Sequence, residues 1–292
     1  MQKALTYTII AGSKACPNDC PICISKMTPD YELGTKEPEV NWERFDKATT
    51  IALNHGAETA LITGKGEPTL FPGQVTRYLL RLHGKPFDKR ELQTEGSLLA
   101  KGGLYDDFLD VWRDLGLDTV AVSVYHYDGQ KNKEVFRPKS GEYFNLAKLI
   151  EKLSSKGMNT RLSCVMLNNY VDNVEEVKKL IEFAKQNGVF QLTLRTADRP
   201  KTSLDSMVAE FVDKNRLDNE RLEVINNFLK ENGGVCDILP HGAVVYEVGG
   251  QNVCITTGLT YNPGEKMIRQ LIFFPQGWLT SSWEYVQGGR LL

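Results

Sequence analysis

Short apolar runs alternate along this chain with longer amphipathic stretches. The run 4–10 (Ala-Leu-Thr-Tyr-Thr-Ile-Ile) reads as a strand, and 41–56 as an amphipathic helix stopped by Gly56. A compact strand at 59–63 then leads into a glycine-rich turn. The same alternation predicts a helix around 70–84, a strand at 90–94, a helix at 104–116 and a strand at 120–124. A helix at 142–157 stops at Gly157, and 159–167 forms the next strand. Asn173 is a good N-cap for a helix at 173–188, in which Val174, Val177, Ile181 and Phe183 or Ala184 recur at near-helical spacing. A sixth strand, 190–195, ends in Arg195. Strand–helix alternation of this kind signals βαβ units and a parallel sheet, here enough for a curved or partial barrel.

The texture changes after residue 195. A long loop with a short helix covers 196–218, and a helix at 219–232 ends at Gly233-Gly234. Hairpin signals follow: 243–248 and 252–256 around Gly249-Gly250, and a second pair around Pro275-Gln276-Gly277. This divides the chain into a barrel at 1–235 and a small antiparallel β appendage at 236–292. Tyr246, Trp278, Trp283 and Tyr285 are expected in the core of that appendage.

The 292 residues are 41% hydrophobic and 25% charged, as in soluble globular domains. With 35 basic and 37 acidic side chains the net charge is −2, which disfavours nucleic-acid binding driven by charge. No run of about 18 apolar residues suggests a membrane span. The first ten residues read as a strand and not as a secretory signal, so the cytoplasm is the expected location. In that reducing setting six cysteines are expected as thiols or metal ligands.

Three of them are clustered. Cys16-Pro-Asn-Asp-Cys20-Pro-Ile-Cys23 places three thiols within eight residues just past the first strand. A loop of that length can wrap around one soft metal centre. Three ligands would leave one iron of a cubane open to a small molecule; the alternatives are a zinc site lacking its fourth ligand and a chance cluster of thiols. Cys164, Cys236 and Cys254 are scattered and read as core thiols.

Together with Gly64-Lys65-Gly66-Glu67-Pro68 after the second strand, the C-x3-C-x2-C loop resembles the radical S-adenosylmethionine (SAM) superfamily. The resemblance covers about residues 5–195. It implies a partial (β/α)6 TIM-like barrel, a [4Fe–4S] cluster on Cys16, Cys20 and Cys23, and SAM chelating the open iron. It also implies an electron donor of the flavodoxin or ferredoxin type. Reduction would release methionine and a 5′-deoxyadenosyl radical that takes a hydrogen atom from the substrate. The turn at Gly66 and Glu67 would meet the methionine ammonium, and Pro68 suits the first position of the next helix. Thr94, within Gln93-Thr94-Glu95-Gly96, matches the family's T-N-G strand end, although Glu95 stands where Asn is usual. Ser123 matches a serine that contacts SAM. Ile22 takes the place of an aromatic that packs on the adenine.

Residues 122–189 most resemble the branch containing the molybdenum-cofactor enzyme that rearranges GTP. The apolar Ile9 replaces that branch's arginine, and the cysteine motifs for a second cluster are missing. The radical chemistry therefore transfers and the GTP substrate does not. Arg195 at the end of strand six and Arg161 on strand five are expected to hold an anionic substrate group. Tyr125 and His126 follow Ser123 into the barrel mouth, suited either to donate to substrate oxygens or to cap a loop. The expected substrate is a small anionic metabolite or nucleotide. The alternatives are a partner protein or peptide, as for an activase, and a metal-binding interaction module without catalysis.

Overall fold

The computed structural model describes residues 2–239, 241–257 and 267–284; Tyr285 lies outside them. Strands β1 (Lys3–Ile10), β2 (Thr59–Thr63), β3 (Lys89–Thr94), β4 (Thr119–Val124), β5 (Asn159–Val165) and β6 (Gln191–Arg195) pair in parallel, each with the next. The helices are α1 (Ile24–Met27), α2 (Trp42–Asn54), α3 (Pro72–Leu82), α4 (Ser97–Ala100), α5 (Leu104–Asp114), α6 (Gly129–Phe136), α7 (Leu146–Ser155), α8 (Val174–Gln186), α9 (Ser206–Asn215) and α10 (Asn219–Asn232). This is the expected mixed α/β architecture with a barrel-like parallel sheet.

Local chemistry explains most boundaries. Asn41, Asp128, Asn145, Asn173, Asp205 and Asp218 each accept an N–H from the first turn of the helix they precede. The helix expected around 70–84 is a 3-10 turn, Pro68–Leu70, followed by α3, because Pro72 starts a new helix. The expected helix at 142–157 begins only at Leu146, after the Asn145 cap. α6 has no counterpart in the sequence reading, being short and largely polar (Gly-Gln-Lys-Asn-Lys-Glu-Val-Phe).

The chain after α10 does more than form an appendage. β7 (Gly233–Ile238), β8 (Val244–Val248) and β9 (Gln251–Thr256) form an antiparallel meander, and β10 (Met267–Phe273) pairs antiparallel with β11 (Leu279–Thr280). Yet β9 adds in parallel to β6, and β10 adds in parallel to β1. One sheet results, in the order β11-β10-β1-β2-β3-β4-β5-β6-β9-β8-β7. The C-terminal strands thus extend the barrel wall at both edges.

Alternation along the strands separates two interiors. Tyr7, Ile9, Ile62, Leu92, Val122, Leu162 and Leu192 join one apolar core together with Phe45, Tyr78, Leu109, Trp112 and Leu149 of the helices. The opposite faces carry Thr6, Thr63, Gln93, Ser123, Ser163 and Arg195, which line cavities. A barrel filled only for stability would put branched apolar side chains there. This lumen is polar and partly hollow.

Candidate active site

Cys16, Cys20 and Cys23 follow β1 and open on one cavity of about 280 Å³. Backbone ties made elsewhere hold their loop. Asp19 N–H donates to the carbonyls of Phe136 and Arg137, at 3.1 and 3.2 Å, and Lys139 Nζ donates to Cys16 O at 2.8 Å. Burial pushes the Cys16 thiol up to about 12, with Glu67, Glu95 and Cys23 adding to it. Burial also raises Cys20, whose sulfur donates to Phe136 O at 3.5 Å. Such thiols ionise only when a metal takes the proton's place. The donor set, three thiols facing a single cavity, fits an iron–sulfur cluster; among the described residues no three His, Cys, Asp or Glu side chains form a site for one metal ion.

The turn after β2 is welded to this loop. An added Cβ on Gly66 would lie 2.7 Å from Ser13 O and closer still to Ala15 O, while Glu67 N donates to Ala15 O at 2.9 Å. Glycine is needed at Gly66 because the cysteine loop's own backbone passes against it. Pro68 opens the 3-10 turn, as expected for a residue without an N–H.

Glu67 is buried and richly bonded. Its Oε1 accepts from Thr69 N (2.9 Å), Thr69 Oγ1 (2.6 Å) and Thr94 Oγ1 (2.7 Å), and its Oε2 from Glu95 N (2.9 Å). The carboxylate pins the turn after β2 to the end of β3. Glu95 in turn accepts from Asn18 Nδ2 at 3.1 Å and from Ser97, linking the β3 end back to the cysteine loop. Burial and the neighbouring Glu67 push Glu95 up to about 7; burial also raises Glu67. Glu67→Gln is expected to turn an –NH2 toward one of these four donors. The cost is about 1–3 kcal/mol for the buried group left unmatched, read as a lowered urea midpoint, with SAM affinity falling alongside it.

Ile22, Thr94, Ser123, Tyr125 and Arg195 line the same cavity as the cysteines, Gly66, Glu67 and Pro68. Two other candidates are placed differently. His126 is buried with Nε2 3.1 Å from Glu176 Oε2, while its Nδ1 accepts from Asp128 N at 2.9 Å. It ties the β4–α6 turn to α8 and is absent from the cavity wall. Arg161 does face the lumen, but Glu91 takes it in a bidentate pair, Nε to Oε2 at 3.0 Å and Nη2 to Oε1, while Nη1 donates to Thr193 Oγ1 at 3.2 Å. Its anion is a protein carboxylate, so it leaves the list of substrate ligands. Arg195 has no such partner among the described residues, and its buried Nε lacks a hydrogen bond. Burial, and after it Arg161, lowers Arg195 to about 10.

The sequence reading passes over Asn18, Gln93 and Lys65, and gives Glu95 no role in the site. Lys65 is buried, and its Nζ donates to Thr28 Oγ1 at 2.6 Å. Its place inside the Gly64–Pro68 motif is the available signal. Of the scattered cysteines, Cys164 and Cys254 are buried as expected, whereas Cys236 is exposed on β7, the outermost described strand at that edge of the sheet. Tyr246 is buried in the main core, and Trp278 and Trp283 pack on a cluster around Phe274.

No curated protein matches the sequence. Among solved structures, native anSMEcpe with bound AdoMet superposes with a TM-score of 0.63 at 16% identity, covering 98% of this chain and 77% of that one. Streptococcus suis SuiB bound to S-adenosylmethionine gives 0.60 at 14% identity over 99% of this chain, which spans 63% of SuiB's length. A radical SAM methyltransferase from Sphaerobacter thermophilus gives 0.56 at 13% identity, over 86% of this chain and 66% of that one. At these identities the likenesses establish the fold. The sequence itself matches the model of the radical SAM superfamily over residues 10–184, more than half the chain, and with it the chain belongs to that superfamily of enzymes, whose cofactors are a [4Fe–4S] cluster and SAM.

Proposed function

We propose that Cys16, Cys20 and Cys23 hold three irons of the cluster, and that the enzyme abstracts a hydrogen atom from a small anionic substrate. One observation carries this reading: the three thiols line the same cavity as Arg195, whose guanidinium has no carboxylate partner among the described residues. When bound, the cluster and SAM supply a hydrogen-abstracting radical after one-electron reduction. The chain's own residues position it. Gly66, Glu67 and Thr94 shape the floor on which the methionine end of SAM would lie, and Ser123 and Ile22 flank the rest. Tyr125 lines the same cavity, its ring edge-on to Phe136. Arg195, at the β6 end, offers a planar fork to a carboxylate or phosphate.

The electron donor is a small flavodoxin- or ferredoxin-like protein, and the cytoplasm the location this chemistry suits. Among the described residues no helix is long and apolar enough to cross a membrane. A peptide substrate is the second reading, favoured by β7, an exposed strand at the edge of the described sheet to which an extended segment could add.

The test is anaerobic reduction of cluster-loaded protein with SAM and pools of small acids, phosphate esters or peptides, following 5′-deoxyadenosine and a matching substrate mass change. Arg195→Lys is expected to keep slow, substrate-independent 5′-deoxyadenosine release and lose most substrate-dependent turnover, because lysine keeps the charge without the fork. Full turnover in that variant, or a mass change confined to peptides, would refute the small-anion reading.

A further inference from the structure

Next to the cysteine-lined cavity lies a second chamber of about 190 Å³, and the two share Ile24, Thr63, Gly64, Gln93 and Arg195 in their walls. Three cations reach it: Arg195, Arg269 from β10 and Lys65 from the turn after β2. None of its described lining residues is an Asp or Glu. The lumen carboxylate of Glu91 is spent on Arg161 and on Lys89 at 3.3 Å. Lys65 hydrogen-bonds to the neutral Thr28, and Arg195 Nε has no partner. Gln270 accepts from Thr8 Oγ1 at 2.7 Å through Oε1, which leaves its amide N–H groups as donors. Trp283 closes one side, with Lys65 Nζ 6.0 Å from its ring centre.

Buried cations such as Lys65 and Arg195, set around one chamber, are expensive unless an anion joins them.

We infer that this chamber seats the anionic group, a carboxylate or a phosphate, of the enzyme's substrate, with Lys65 and Arg269 joining Arg195 as its ligands. The substrate then lies with its charged end in the chamber and its reacting carbon toward the cysteines, while Trp283 offers a flat apolar wall to the part between. This rests on the small-anion reading above and replaces Arg161 by two residues that the sequence pattern does not single out. Lys65 and Arg269 line this chamber and not the cysteine cavity, so their removal separates anion binding from SAM binding.

The experiment is anaerobic calorimetric titration of cluster-loaded, SAM-bound protein with inorganic phosphate and with succinate, at ionic strength matched by sodium chloride. Saturable binding of at least one probe is expected, weakened about tenfold or more in Lys65→Gln and in Arg269→Gln, with iron content and SAM affinity kept within about twofold. A preference for phosphate assigns a phosphorylated substrate and a preference for succinate a carboxylic acid. Hydrogen–deuterium exchange of the wild-type protein provides the second measurement, should a variant fail to fold: the bound probe is expected to protect residues 61–67 and 267–272. Absence of binding by both probes, affinity unchanged in both variants, or protection elsewhere overturns the inference. Protein that still forms 5′-deoxyadenosine while binding neither probe refutes the chamber alone; protein that never forms it refutes the radical reading instead.

Discussion

Replacing Cys16, Cys20 or Cys23 singly by alanine is expected to abolish SAM cleavage, with 5′-deoxyadenosine falling to background, while Cys164→Ala, Cys236→Ala and Cys254→Ala retain it. Each thiolate of the proposed set holds a different iron, so the loss of one leaves that iron to solvent and the cluster to decay. Cys164 and Cys254 are buried elsewhere and Cys236 sits on the outer strand, none of them on the cysteine cavity. Iron analysis and the electron paramagnetic resonance of the reduced cluster provide the measurement. Full iron and full SAM cleavage in Cys20→Ala would contradict the ligand assignment. An iron loss in Cys254→Ala would point instead to a second centre in the lumen.

Glu91→Gln is expected to be the most destabilising single change in the lumen away from the cysteines, by about 3–5 kcal/mol in urea unfolding of cluster-free protein. Burial opposes ionisation of Glu91, but Arg161 outweighs it and draws the carboxyl down to about 2. A neutral amide in its place would leave the Arg161 guanidinium charged, enclosed and without a counterion. The pH dependence follows from the depressed value. The stabilisation is in full force above the ordinary glutamate pKa near 4.5 and disappears as pH falls through about 2. Wild-type protein should therefore lose its advantage over Glu91→Gln on acidification through that window. A constant difference between pH 7 and pH 3 would show that the pair contributes by shape and not by charge.

The strands and the cysteine loop were legible because each leaves a local signature. Val120, Val122 and Val124 alternate with smaller or polar residues, Asn173 caps α8 as read, and three thiols in eight residues admit few explanations. What periodicity reports is which face of a strand is covered, not what stands opposite across a barrel. Arg161 faces the lumen as its alternation implies, but its partner Glu91 comes from β3, 70 positions earlier. His126 takes the second of its two readings, a loop tie, for a related reason: the turn after β4 directs its ring to Glu176, and no local pattern records that direction. The parallel docking of β9 and β10 was hidden too, since glycine turns announce a hairpin without saying which edge of the sheet it joins. Alternating polar residues in otherwise buried strands, such as Arg161 and Ser163 in β5 and Thr193 and Arg195 in β6, were an available sign of a hollow lumen.

The bracing around Glu67 and the cysteine loop bears on how the enzyme acquires its iron. Small zinc domains draw their folding energy from the metal and come apart without it. Here the thiols are stationed by ties that involve no metal: Asp19 on Phe136, Lys139 on Cys16, Glu67 on Ala15 and Glu95 on Asn18. Little chain entropy is left to surrender when a cluster enters. Cofactor delivery then resembles filling a finished socket, and a chain stripped of iron is expected to stay folded and open to reloading.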